Sequence, residues 1–360
     1  MPASFSKAVV QEAEQQYRPD SQEPQGSVKQ KGTRKKWLKF AIRAGVTLLL
    51  FTFLLKSVSW STLFNTLMHV HRAPLMVGLA IGVVCLLFSV YGWRALLQAE
   101  HIKTDLARLI NLYLVGIAFS HFLPTSMGGD VVKAYYIGRE SGNTAGSASA
   151  VMLSRITGFI GMLTIALPTL FIWRAWFTQK LIIGFLLLSL LILVMIGGTI
   201  LLSVLLPKAS SRFLGRGWMN HPFVIMALEV GQTLSIAARR PRSLGIAILY
   251  AILFWISSFL NYYGYAMALK MQAPFHFYVI AVSLSSIIAF LPISINGFGV
   301  RESAMVYVFS TIHVPADTSL LLAFLMDIQV LFFGVIGGGI YLAMNDVTSM
   351  PSAGPGNATE

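Results

Sequence analysis

Residues 122–135 read Phe-Leu-Pro-Thr-Ser-Met-Gly-Gly-Asp-Val-Val-Lys-Ala-Tyr, and residues 290–302 read Phe-Leu-Pro-Ile-Ser-Ile-Asn-Gly-Phe-Gly-Val-Arg-Glu. Without gaps, Phe122, Leu123, Pro124, Ser126, Gly129 and Val132 match Phe290, Leu291, Pro292, Ser294, Gly297 and Val300. Each copy closes a long apolar run with a proline, continues through small and polar residues, and ends in charge. Proline removes a backbone donor and clashes with the preceding helical turn, whereas glycine tolerates the turn that must follow. In water such a stretch is a loop between helices. In a bilayer it is a broken helix, and irregular backbone persists there only where protein or a wet cavity covers it. Paired interruptions of hydrophobic segments in two halves of a chain point to the binding site of a transporter.

The composition sets this reading in a membrane. Of 360 residues, 56% are hydrophobic and 11% charged, and the mean hydropathy is +0.70. A soluble domain carries about a quarter charged residues. The net charge of +13 would suggest nucleic acid in a soluble protein. Here the basic residues cluster between apolar runs, as positive cytoplasmic loops facing anionic lipid headgroups do, and no nucleic-acid partner is expected. Cys85 is the single cysteine, which excludes an intrachain disulfide and any multi-cysteine metal site. No Walker A loop, HExxH pair or GxSxG elbow occurs, so ATP-driven pumping, zinc proteolysis and serine hydrolysis lack a motif. Neither cofactor nor metal is expected, and the chain is not expected to be an enzyme.

The expected fold is an all-α polytopic membrane protein with about six transmembrane helices and two re-entrant broken-helix hairpins in an inverted repeat. Eight full spans are the alternative. Residues 1–36 read as a disordered cytoplasmic tail that ends in a basic run, and residues 37–345 as a transporter-like membrane domain. Spans are expected at 38–55, 74–97, 148–173, 180–206, 243–268 and 317–344, with an outer interfacial helix over 57–72. The arms 107–123 and 275–291 fall short of the roughly 20 residues a crossing needs, and the segments after the prolines are shorter or more polar. Residues 207–242 form a basic cytoplasmic insertion, and 346–360 a polar tail. In this scheme the strongly basic loops fall inside, the N-terminus is cytoplasmic, and the protein resides in the cell membrane. Gly334 and Gly338 have the spacing of a close helix-packing face.

Charged side chains at membrane depth are costly and mark functional candidates. Asp130, Lys133, Arg155, Arg301, Glu302 and Asp327 fit that description. Asp130 and Lys133 are three residues apart and share a helical face. Lys133, Arg155 and Arg301 can hold a lipid phosphate. Backbone amides at Gly128, Gly129, Gly297 and Gly299 can add to the anion site where short helices begin. Ser126 and Ser294 complete the candidate binding set at the two tips. The carboxylates can balance the cations or carry a coupling proton, and the plainer alternative is that all six charges neutralise one another to hold the hairpins in place. No catalytic residue is assigned.

The stretches LPTSMGGDVVKAYYIGRE, Ser154–Gly158 and LPISINGFGVRESA resemble the flippase-like membrane region of bacterial lysylphosphatidylglycerol synthases over about residues 38–344. The resemblance implies a lipid flippase, and a stand-alone member without the soluble synthase domain. The family often places Asp-Arg where this chain has Ser154-Arg155, and Arg where it has Lys133. The expected function is ATP-independent movement of an anionic or amphipathic lipid between leaflets, such as a phospholipid, a polyprenyl-phosphate-linked glycan or a hopanoid. An integral-membrane transferase acting on lipid phosphate is one alternative. A membrane scaffold for a soluble lipid-modifying or glycosyltransferase enzyme is another. Expected partners are the lipid substrate, anionic lipids at the basic loops and such a soluble enzyme.

Overall fold

The computed structural model describes residues 72–122, 128–210, 240–290 and 297–348. The N-terminal tail, the span expected at 38–55, the interfacial helix at 57–71, residues 211–239 of the basic insertion and residues 349–360 lie outside the described residues. So do both proline tips, with Ser126 and Ser294.

Among the described residues the chain is all-helical. In order run α1 (Arg72–Ala99), α2 (Leu106–Phe122), α3 (Gly128–Ser141), α4 (Thr144–Ile172), α5 (Gln179–Ser210), α6 (Pro241–Ala268), α7 (Phe275–Phe290), α8 (Val300–Ser310) and α9 (Ala316–Thr348). Helices α1, α4, α6 and α9 are long and apolar enough to cross a membrane, and the protein is an all-α polytopic membrane protein. The arms expected to be short are short: α2 has 17 residues and α7 has 16. The helices after the breaks have 14 and 11 residues, in α3 and α8. Two boundaries differ from expectation. Helix α5 runs past residue 206 to Ser210, and α9 passes 345 to Thr348, so polar residues at both ends extend helices rather than begin loops.

Glycines let the helices approach. Helix α1 runs antiparallel to α6, with Gly78 beneath the Tyr265 ring and Gly92 against Tyr250. Into this pair α9 inserts Gln329, which accepts from Asn261 Nδ2 at 2.8 Å and has its own amide 3.4 Å from the Leu79 carbonyl. Helices α2 and α9 also run antiparallel. Gly337 lies on the Leu114 backbone and Gly334 faces Ala118, whereas a side chain at Gly338 would meet nothing within 4 Å among the described residues. The close-packing face is therefore Gly334 with Gly337, not Gly334 with Gly338. A straight helix presents i and i+3 to one neighbour as readily as i and i+4, and α2 lies on the former row.

Three helices end alike, with His101, Lys270 and His313 at φ 60°, 56° and 61°. In each, the following amide reaches back five residues, as in Ile102 to Leu97, Met271 to Ala266 and Val314 to Phe309. This is the Schellman closure, which glycine usually serves. Buried apolar side chains form one cluster from α4 through α9 and another among α1 to α4 with Ala247 of α6. Outward-facing Val83, Leu187, Val194, Leu249, Ile328 and Val335 are exposed, the apolar exterior that contact with acyl chains requires.

Candidate functional site

Each broken helix restarts with an acidic or basic side chain held against a neighbour. At the first break, the Gly129 amide donates to Ser120 Oγ of α2 at 3.2 Å. A Cβ at Gly129 would overlap the Gly116 carbonyl, so glycine permits the contact between α2 and α3. Asp130 then falls in the first turn of α3, where the helix dipole favours a carboxylate. Its Oδ1 lies 2.8 Å from Lys133 Nζ, one turn on. The Lys133 ammonium also rests on two rings, 4.6 Å from the Tyr113 centroid and 5.4 Å from that of Trp93.

Helix α4 contributes the third member. Asn143 caps it by accepting from the Gly146 amide at 2.8 Å, and three turns later Arg155 reaches Asp130. Both Nε and Nη2 of Arg155 approach Oδ2 at 2.6 Å. The carboxylate that the family pattern places beside this arginine in sequence is thus supplied here by α3. Arg155 is the most open of the three, with 42% of its side chain exposed against 13% for Asp130 and 11% for Lys133.

The second break is built differently. Gly297 and Gly299 have φ of 78° and 81°, conformations that side chains resist. A Cβ at Gly297 would also stand 2.7 Å from that of Ala289. The Gly299 amide donates to Glu302 Oε2 at 2.6 Å, one half of a capping box. Arg301 is ion-paired with Asp327 of α9, and its Nη2 lies 3.5 Å from Glu302 Oε1. Glu302 is 1% exposed. Asp327 Oδ2 is buried and has no hydrogen-bond partner among the described residues. The gapless alignment of the two repeats sets Lys133 opposite Arg301, so each copy carries one paired cation at the same place.

One cavity of about 460 Å³ joins the two breaks, with Asp130, Lys133, Arg155 and Arg301 in its wall. Hydroxyls of Ser154, Thr157 and Ser286 lie beside them. The remaining wall is largely aromatic, with Phe88, Tyr250, Phe254, Phe159 and Phe290. The cavity therefore sets four charged side chains beside an apolar, partly aromatic wall, and its volume suits a small ligand.

Of the residues singled out from sequence, Gly129, Asp130, Lys133, Arg155 and Arg301 line this cavity. Gly128 is buried at the start of α3. Glu302 and Asp327 stand behind Arg301, outside the wall, and Gly297 and Gly299 shape the turn that presents it. The Gly129 and Gly299 amides both have partners within the protein. Trp93, Tyr113 and Gly158 belong to the site without having been singled out. Trp93 and Tyr113 lie 40 and 20 residues before Lys133, and no local spacing ties them to it.

A family model described as the lysylphosphatidylglycerol synthase TM region matches residues 37–338. No curated protein and no solved structure matches the chain.

Proposed function

Because the chain belongs to the family of the lysylphosphatidylglycerol synthase transmembrane region, we propose that it moves an anionic lipid between leaflets without ATP hydrolysis. One observation carries this reading: one cavity is lined by cations from both broken helices and by several aromatic side chains. A lipid phosphate in hydrocarbon lacks the hydrogen bonds and counter-charges it has in water, and that desolvation costs several kcal/mol even after relaxation. Arg155 and Arg301 supply replacement donors, each worth about 1.5–3 kcal/mol when the bond is charged. The tails stay on the apolar flank and in the surrounding bilayer, so the headgroup alone needs the protein.

Lys133 serves this site less directly. Asp130 and two ring faces already hold its ammonium, so it fixes the carboxylate that orients Arg155. The step is translocation, with no bond made or broken in the lipid, and we read the protein as a transporter rather than an enzyme. We place it in the cell membrane with a cytoplasmic N-terminus. Anionic lipids would sit at its basic loops, and a soluble lipid-modifying enzyme would meet it there.

The test is leaflet exchange of a tail-labelled fluorescent phosphatidylglycerol in proteoliposomes, read by dithionite quenching of the outer leaflet. Wild type is expected to exchange well above protein-free vesicles. Arg155→Gln loses a charged hydrogen bond and is expected to slow exchange roughly 10- to 100-fold. Wild-type exchange equal to that of empty vesicles would sink the proposal.

A further inference from the structure

The charges at membrane depth split unequally between the repeats. The Asp130 cluster has two cations on one carboxylate, and the Arg301 cluster has two carboxylates on one cation. Together the ionised groups cancel. A phosphodiester headgroup that enters the cavity adds one negative charge to this balanced set. An uncompensated charge at that depth is costly, so the loaded site needs one more positive charge.

The Arg301 cluster is built to take it. Glu302 is closed off from solvent, with one oxygen on the Gly299 amide and the other facing Arg301. Asp327 uses Oδ1 for Arg301, and Oδ2 is buried without a partner among the described residues, an arrangement that costs a carboxylate part of its hydration. A proton on one of the two carboxyls removes the excess negative charge and provides an O–H donor between them. The groups that act on Asp327 come from each neighbour: Arg301 and Glu302 from α8, and Tyr262 from α6. Helix α2, also packed on α9, meets it farther along, with Leu114 on Gly337 and Ala118 facing Gly334.

We propose that the Glu302–Asp327 pair binds one proton for each monoanionic phosphodiester lipid in the cavity, so that lipid and proton cross together and the loaded site carries no net charge. This rests on the lipid-transport reading above. It also selects the substrate by charge, favouring a phosphodiester monoanion over a dianionic diphosphate, which would need a second proton from a pair with one unpartnered oxygen.

The test uses proteoliposomes of neutral phosphatidylcholine holding a trace of tail-labelled phosphatidylglycerol, with either a pH gradient or a valinomycin-set potassium potential. Wild type is expected to gather the labelled lipid in the leaflet facing the alkaline side, up to about tenfold per pH unit. The potential alone should produce no asymmetry. Asp327→Asn, which can neither gain nor lose a proton, should lose the response to the pH gradient, and the exchange it retains should follow the potential, because the lipid anion then crosses without a proton. Glu302→Gln is measured beside it, because its carboxamide oxygen still accepts the Gly299 amide and a folding failure of one variant leaves the other. Wild-type exchange that ignores the pH gradient or follows the potential overturns proton coupling and leaves lipid transport standing. A pH-driven asymmetry that persists in both variants overturns the assignment to this pair. Absence of any wild-type exchange overturns the transport reading and the coupling with it.

Discussion

Asp130 on α3 holds Arg155 on α4, with both Nε and Nη2 of the arginine 2.6 Å from a single carboxylate oxygen. The other oxygen holds Lys133. One carboxylate therefore joins the restarted helix of the first break to the following span. Asp130→Ala leaves the nearly buried Lys133 ammonium without a counter-charge. That should cost about 3–5 kcal/mol of stability, the usual penalty for halving a buried ion pair. The double variant Asp130→Ala/Lys133→Met should recover much of the loss, because no buried charge remains. Equilibrium unfolding in detergent micelles measures both, and strictly additive effects would contradict the pairing.

Two glycines differ sharply in what a methyl group would meet. Gly129→Ala drives a Cβ into the Gly116 backbone, and Gly338→Ala adds one where nothing lies within 4 Å. The first change should destabilise by about 1–3 kcal/mol through overpacking. The second should stay within about 0.5 kcal/mol of wild type, as an open surface position does. Melting temperatures of the two purified variants, compared side by side, decide this.

Lys270 ends α6 in the left-handed region at φ 56°. A side chain there pays roughly 1–2 kcal/mol that glycine avoids. Lys270→Gly should raise stability by up to about 1 kcal/mol once glycine's greater unfolded-state freedom is subtracted. An unchanged or lowered melting temperature would contradict the helix-end geometry.

Much of the architecture was legible in the sequence, because in a membrane the length of each apolar run is itself the structural signal. The spans at 74–97, 148–173 and 243–268 match α1, α4 and α6 to within a few residues. The Phe-Leu-Pro repeat marked both breaks and brought Asp130, Lys133 and Arg301 forward as candidates. Pairing was less legible. Asp130 and Arg155 are 25 residues apart and Arg301 and Asp327 are 26 apart, so each meets its partner through tertiary packing that no local spacing encodes. Lys133's rings lie on α1 and α2 for the same reason. The Gly334–Gly337 face was misassigned because the spacing rule names a row of small residues without naming the neighbour that uses it.

If lipid crosses through the cavity, a bulky side chain at Gly158 should block it. Gly158 lines the cavity with open space where a side chain would project, while Gly197 on α5 is exposed with equal room around it. Leaflet exchange in proteoliposomes of Gly158→Phe and Gly197→Phe is the decisive comparison, since neither change touches a charged group. Gly158→Phe should fall to the rate of protein-free vesicles while Gly197→Phe exchanges like wild type. Equal, undiminished exchange in both variants would mean that lipid crosses by another route.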